Sequence, residues 1–207
     1  MTVELRAFEV RARILFATGG IERLGNTAQE TGAERFLLVA DPALQGLGIV
    51  DTALTSLERA GLQGETFLKV EPEPYLDNAD EAAALGRDLA ADLVIGMGGG
   101  SAMDTAKAAA MLINNEGSAE AYVGLNKVEF PPAATIMVPT TAGTGSEVTF
   151  TAVFTNRHTK AKGGINSPFL FPQIALLDAE LTVSVPPEVT AATGMDALTH
   201  AIESVTS

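Results

Sequence analysis

The chain predicts an α/β fold: a doubly wound parallel sheet, followed by the start of an all-helical region. Two observations carry this. Short, continuous apolar runs such as Phe36–Ala40 alternate with segments of helical period, the pattern of strands buried on both faces between covering helices. Glycines stand at the junctions, 20 in 207 residues, where helices stop and tight turns begin.

The elements follow in order. Phe8, Val10, Ala12, Ile14 and Phe16 alternate with Glu9, Arg11, Arg13 and Leu15; period two with one mostly polar face predicts a half-buried antiparallel strand or hairpin. Residues 21–31 predict a helix stopped by Gly32, and 36–40 a buried strand. A helix over 47–60 ends at Gly61; a strand is expected at 66–70, an alanine-rich helix at 79–91 and a strand at 93–96. Residues 101–114 predict a helix and 134–138 a strand. A polar, threonine-rich stretch over 149–165 reads as a hairpin, and 174–178 as the last strand. A domain boundary is expected at Val185-Pro186-Pro187, giving an α/β domain over 1–185 and a helical piece over 186–207. That piece reads as helices over 188–193 and from Met195 onward. Because it ends inside a helical pattern, the expectation is a truncated chain.

Composition excludes several function classes. Thirteen Lys and Arg against 26 Asp and Glu leave a formal charge of −13, which disfavours nucleic acid and anionic membranes alike. There is no cysteine, so disulfides, thiolate nucleophiles and cysteine-based zinc sites are absent. His158 and His200 are the only histidines, too few for a histidine-rich metal site. No apolar run approaches the ~20 residues of a membrane span, and no signal peptide is evident. The expected location is the cytoplasm.

Gly96-Met97-Gly98-Gly99-Gly100-Ser101-Ala102-Met103-Asp104 follows a strand and opens a helix. Glycines let the backbone approach an oxyanion, and a helix N-terminus offers unpaired N–H groups and partial positive charge. The alternative is a tight turn closed by a capping box of Ser101 and Asp104. Lys107, one turn further on, reads as a solvated helix residue or a phosphate contact. Pro139-Thr140-Thr141-Ala142-Gly143-Thr144-Gly145-Ser146-Glu147 also follows an apolar strand; its hydroxyls suit phosphate or ribose, or local turn capping. Both loops fall at the C-terminal ends of strands, where open α/β sheets bind ligands. Asp41 ends a third strand. It suits a ribose 2′-hydroxyl, favouring NAD over NADP, or an Asp-Pro turn with Pro42. Asp196 and His200 are spaced i, i+4 and share a helix face; they suit a divalent ion or a plain surface contact. His158 reads as a solvated loop residue.

Three segments together resemble the iron-containing (group III) alcohol dehydrogenases: 98–107, 139–149 and 194–203 (Gly-Met-Asp-Ala-Leu-Thr-His-Ala-Ile-Glu). The resemblance runs from Phe8 to Ser207. It implies a Rossmann-like dinucleotide-binding domain, a C-terminal helical domain and an active site between them. By the same resemblance Gly98, Gly99, Gly100 and Ser101 hold a pyrophosphate, with Asp104 in the same motif. Thr140, Thr141 and Thr149 line the cofactor, with Lys162 and Leu181 as neighbours, and Asp41 favours NAD over NADP. Asp196 and His200 match two metal ligands, for Fe²⁺ or Zn²⁺. The implied reaction is hydride transfer between a small primary alcohol or aldehyde and the nicotinamide. Family members are about twice as long, and their remaining ligands are histidines of the second half. The metal is therefore expected to be weakly bound or absent here. Where many members carry Asn, this chain has Glu73. The competing reading is a nucleotide-binding module without dehydrogenase activity of its own. Expected partners are a second copy, paired through the N-terminal strand, or a complementing C-terminal chain.

Overall fold

The computed structural model describes residues 10–206. Its element order is β1 (Arg13–Phe16), α1 (Leu24–Gln29), β2 (Arg35–Ala40), α2 (Ile49–Arg59), β3 (Gln63–Phe67), α3 (Leu76–Asp88), β4 (Leu93–Gly98) and α4 (Gly100–Asn114). There follow α5 (Ala119–Tyr122), β5 (Gly124–Leu125), β6 (Ala134–Pro139), β7 (Thr151–Thr155), β8 (Lys162–Asn166), β9 (Ile174–Leu177) and α6 (Pro187–Thr206).

Six strands form one sheet in the order β1-β9-β6-β4-β2-β3, with every neighbouring pair parallel. The chain winds outward from β2 to β3, then returns to lay β4, β6 and β9 on the other side of β2. The fold is thus the expected doubly wound, Rossmann-like sheet. Alternation along each central strand serves two cores. Leu37, Val39, Val94 and Met137 join α3 and α4 in one buried cluster. Phe36, Leu38, Ala40, Ile95 and Val138 join α1 and α2 in the other. A strand that supplies both faces must be apolar throughout, and β4 is buried at every residue.

A second, small sheet, β5-β8-β7, contains the expected hairpin: β7 and β8 are antiparallel, Thr151 facing Asn166 and Thr155 facing Lys162.

Three expectations are corrected. β1 is parallel, not antiparallel: Arg13 pairs with Ile174 and Phe16 with Leu177. Nor is its apolar face the buried one: Ile14 and Phe16 are exposed, and Leu15 packs against the α1/α2 core; Phe8 and Glu9 lie outside the described residues. The strand expected at 66–70 runs from Gln63 to Phe67. It pairs from Arg35↔Gln63 to Val39↔Phe67, and its exposed edge carries Gln63 and Glu65, which masks it as a loop. Finally, α6 is one helix through Gly194. A mid-helix glycine costs about 1 kcal/mol, which does not break a 20-residue helix.

No residue of α6 is buried. Met195, Leu198, Ile202 and Val205 are exposed. The helix meets the threonine-rich loop at Gly143, where an added Cβ would lie 2.7 Å from the Thr193 carbonyl oxygen. Only glycine permits that approach. Among the described residues, no helix is long and apolar enough to cross a membrane.

Candidate functional site

The strand order reverses between β2 and β4, which opens a crevice beyond their C-terminal ends. Asp41 follows β2 and Gly98 ends β4. Gly98 has φ +144°, a conformation side chains rarely adopt, and a Cβ there would lie 2.9 Å from Ala102 Cβ and 3.1 Å from Asp41 Cβ. The chain turns sharply enough to start α4 at Gly100, with Gly99 as its N-cap. The first N–H groups of α4 have no intrahelical partner and carry the positive end of the helix dipole.

Ser101 is therefore not the cap, and no capping box forms with Asp104. Three glycines let the helix begin before the serine. Ser101 Oγ instead donates to the Pro72 carbonyl at 2.6 Å, which ties segment 71–75 to the glycine turn.

The threonine-rich loop interlocks with the glycine loop. The Thr140 N–H donates to the Gly98 carbonyl at 3.0 Å, and the Thr140 side chain is buried. A Cβ at Gly99 would lie 3.5 Å from Thr141 Oγ1, and one at Gly100 2.9 Å from Thr144 Cγ2. Asp41 Oδ1 accepts from the Ala43 N–H at 2.9 Å, capping the short turn Pro42–Leu47. The Asp-Pro turn thus exists, beside the glycine loop.

Lys107 is not solvated. Its side chain is 0% exposed and lies 3.0 Å from Asp104 Oδ1. It donates to the Ser146 carbonyl at 3.0 Å, to Thr149 Oγ1 at 3.4 Å and to the Thr151 carbonyl. Burial pushes its pKa below the ordinary 10.5, while Asp104 opposes that shift. Asp104 accepts from Ser146 Oγ at 2.6 Å and from the Val153 N–H at 2.9 Å, so protein donors engage both carboxylate oxygens. Sequence reasoning missed Pro72, Ser146 and Thr151. All three act through main-chain carbonyls, which leave no mark in a sequence; only the hydroxyl that Ser146 adds stood in a motif.

These walls enclose a cleft of about 530 Å³. Gly100, Ser101, Asp104, Thr149, Lys162, Asp196 and His200 all line it. Lys162 and Glu73 pair at 3.3 Å, both largely exposed. Arg157 braces the same segment, 2.7 Å from Glu71, 3.2 Å from Asp77 and 3.7 Å above the Tyr75 ring. From α6, Asp196 Oδ1 and His200 Nε2 stand 3.9 Å apart. Among the described residues, no group of three or more His, Cys, Asp or Glu could hold a metal ion. Leu181 is buried in the α1/α2 core, on the turn Ala179–Thr182. His158 is an exposed loop residue whose N–H donates to Asn156.

The geometry fits a dinucleotide: a glycine turn without side chains, a helix N-terminus and a hydroxyl-lined wall share one cleft. It fits a metal in part, with one carboxylate and one imidazole as donors.

Comparison with known proteins gives a consistent result. A family model described as iron-containing alcohol dehydrogenase matches residues 11–179. Long-chain-alcohol dehydrogenase 1 of Geobacillus thermodenitrificans is 42% identical over 205 residues, covering 95% of this chain and 51% of that protein. The NADH-dependent butanol dehydrogenase A of Thermotoga maritima superposes with a TM-score of 0.91 at 30% identity, covering 97% of this chain and 50% of the other. Sulfoacetaldehyde reductase of Bifidobacterium kashiwanohense, solved with NAD⁺, gives 0.87 at 34% identity, covering 94% and 51%. The chain spans about half the length of the relatives it matches.

Proposed function

The chain belongs to the iron-containing alcohol dehydrogenase family, and from that premise we propose that it binds NAD(H) in this cleft. It contributes the dinucleotide-holding half of a site for hydride transfer between a small primary alcohol or aldehyde and the nicotinamide. One observation carries the reading: the α4 N-terminus, the threonine-rich loop and the Asp196–His200 pair open into a single cleft.

When bound, NAD⁺ supplies the hydride acceptor and a divalent ion supplies Lewis acidity at the substrate oxygen. The chain's own residues do the holding. Main-chain N–H groups at 99–102 face the pyrophosphate. Gly98, Gly99 and Gly100 let it come close, and Thr140, Thr141 and Thr149 border it. Asp41 accepts from a ribose hydroxyl and repels a 2′-phosphate, favouring NAD over NADP. Asp196 and His200 are the donors to Fe²⁺ or Zn²⁺.

Quenching or enhancement of NADH fluorescence tests the binding directly. Saturable NADH uptake by the pure chain is expected; its absence overturns the reading.

Two donors fall short of the three or four that hold a catalytic ion firmly. That count favours a second reading, a nucleotide-binding module that turns over little or nothing alone. The chain is expected to lose Fe²⁺ or Zn²⁺ on dialysis, checked by elemental analysis. Stoichiometric retained metal, or robust NAD-dependent oxidation of a small alcohol, would refute it.

Glu73 neutralises the Lys162 cation at the cleft. Glu73→Gln is expected to tighten NADH binding by roughly two- to fivefold at low salt, the range of an exposed ion pair. The gain disappears near ~1 M salt, where screening acts within ~3 Å. Titrations at both salt concentrations check this.

A further inference from the structure

The cleft is braced by a buried ion pair for which the hydride chemistry has no use. Lys107 and Asp104 sit on α4 within two turns of the glycine loop. Among the described residues, all their side-chain hydrogen bonds beyond each other lead to one stretch of chain, residues 146–153: Lys107 to Ser146, Thr149 and Thr151, and Asp104 to Ser146 and Val153. That stretch leaves the threonine-rich loop, passes through the turn Ser146–Val148 and enters β7. Its ladder with β8 begins only at Thr151. Before that point one main-chain bond, from the Ser167 N–H to the Phe150 carbonyl at 3.2 Å, ties it to the residue after β8, and the brace to α4 adds a second hold.

An apolar residue of similar volume would fill the site of Lys107 without the cost of burying an ammonium group. What the charged pair adds is direction. Its hydrogen bonds specify where the 146–151 wall stands relative to the α4 N-terminus. Resting on the NAD(H) reading above, we propose that Asp104 and Lys107 are positioning residues that set the width of the dinucleotide cleft. Lys107 is shut off from the cleft, which Asp104 lines; the pair acts through the wall formed by Ser146, Thr149 and Thr151.

The test compares two ligands. NADH must engage both walls, whereas ADP needs only the glycine turn and the α4 N-terminus. The paired variant Asp104→Asn/Lys107→Met removes both charges at similar volume and keeps an acceptor for Ser146. It is expected to weaken NADH at least roughly tenfold while ADP stays within about threefold, since a displacement near ~1 Å is costly only to a ligand spanning both walls. Thermal melting is followed in parallel. Ser146→Ala, which leaves the ion pair intact, serves if the pair fails to fold; it is expected to shift the NADH-to-ADP ratio the same way by roughly two- to fivefold, the loss of one hydrogen bond. An unchanged ratio in a folded variant overturns the proposal. So does equal loss of both ligands in step with melting, which would mean structural support alone. Failure of the unaltered chain to bind NADH and ADP would instead remove the NAD(H) reading, and this proposal with it.

Discussion

Lys107→Met is expected to destabilise the fold by about 3–5 kcal/mol, the cost of leaving one member of a buried pair without its partner. At this chain length that lowers the melting temperature by roughly 6–20 °C. The physical reason is asymmetric. The substitution preserves most of the apolar stem, but Asp104 stays buried on α4 with its compensating charge removed. Two main-chain carbonyls, of Ser146 and Thr151, lose a donor at the same time. Differential scanning calorimetry checks the magnitude. A change below ~1 kcal/mol would mean that water or a local shift replaces the ammonium group.

Gly98→Ala is expected to abolish detectable NADH binding, or to weaken it by at least roughly tenfold, the equivalent of ~1.4 kcal/mol. The same change costs about 1–3 kcal/mol of stability, because φ +144° is strained for any side chain. The new methyl group also meets Ala102 on α4 and Asp41 after β2. Relief requires the glycine turn to move off the crevice, so binding suffers more than folding. NADH titration alongside thermal melting separates the two. Wild-type affinity in a folded G98A protein would mean that the turn is not where the pyrophosphate sits.

What the sequence revealed depended on how each residue's role is encoded. The central strands were legible because two-sided burial leaves five or six apolar residues in a row, as in Phe36–Ala40. The edge strands were not: β3 shows Gln63 and Glu65 to solvent, and β1 turns Ile14 and Phe16 outward. Asp196 and His200 stood out by spacing, but whether that face meets the glycine loop depends on where α6 lies. Lys107 was least legible. A solvated lysine and a buried one are the same letter, and the partners that decide between them, Ser146 and Thr151, are 39 and 44 residues away. The capping-box expectation failed for a related reason: α4 begins at Gly100, which puts Ser101 inside the helix, and its hydroxyl donates to Pro72, in a segment the local motif does not contain.

The contact between Gly143 and Thr193 makes one hydrogen atom a spacer for the chemistry. The helix bearing Asp196 and His200 leans there on the threonine-rich loop, like a beam on a fulcrum. Any bulk added at the fulcrum lifts the beam, and the separation between the Asp196–His200 pair and the glycine turn lengthens with it. Tolerance at position 143 is therefore a ruler for how exact that separation must be.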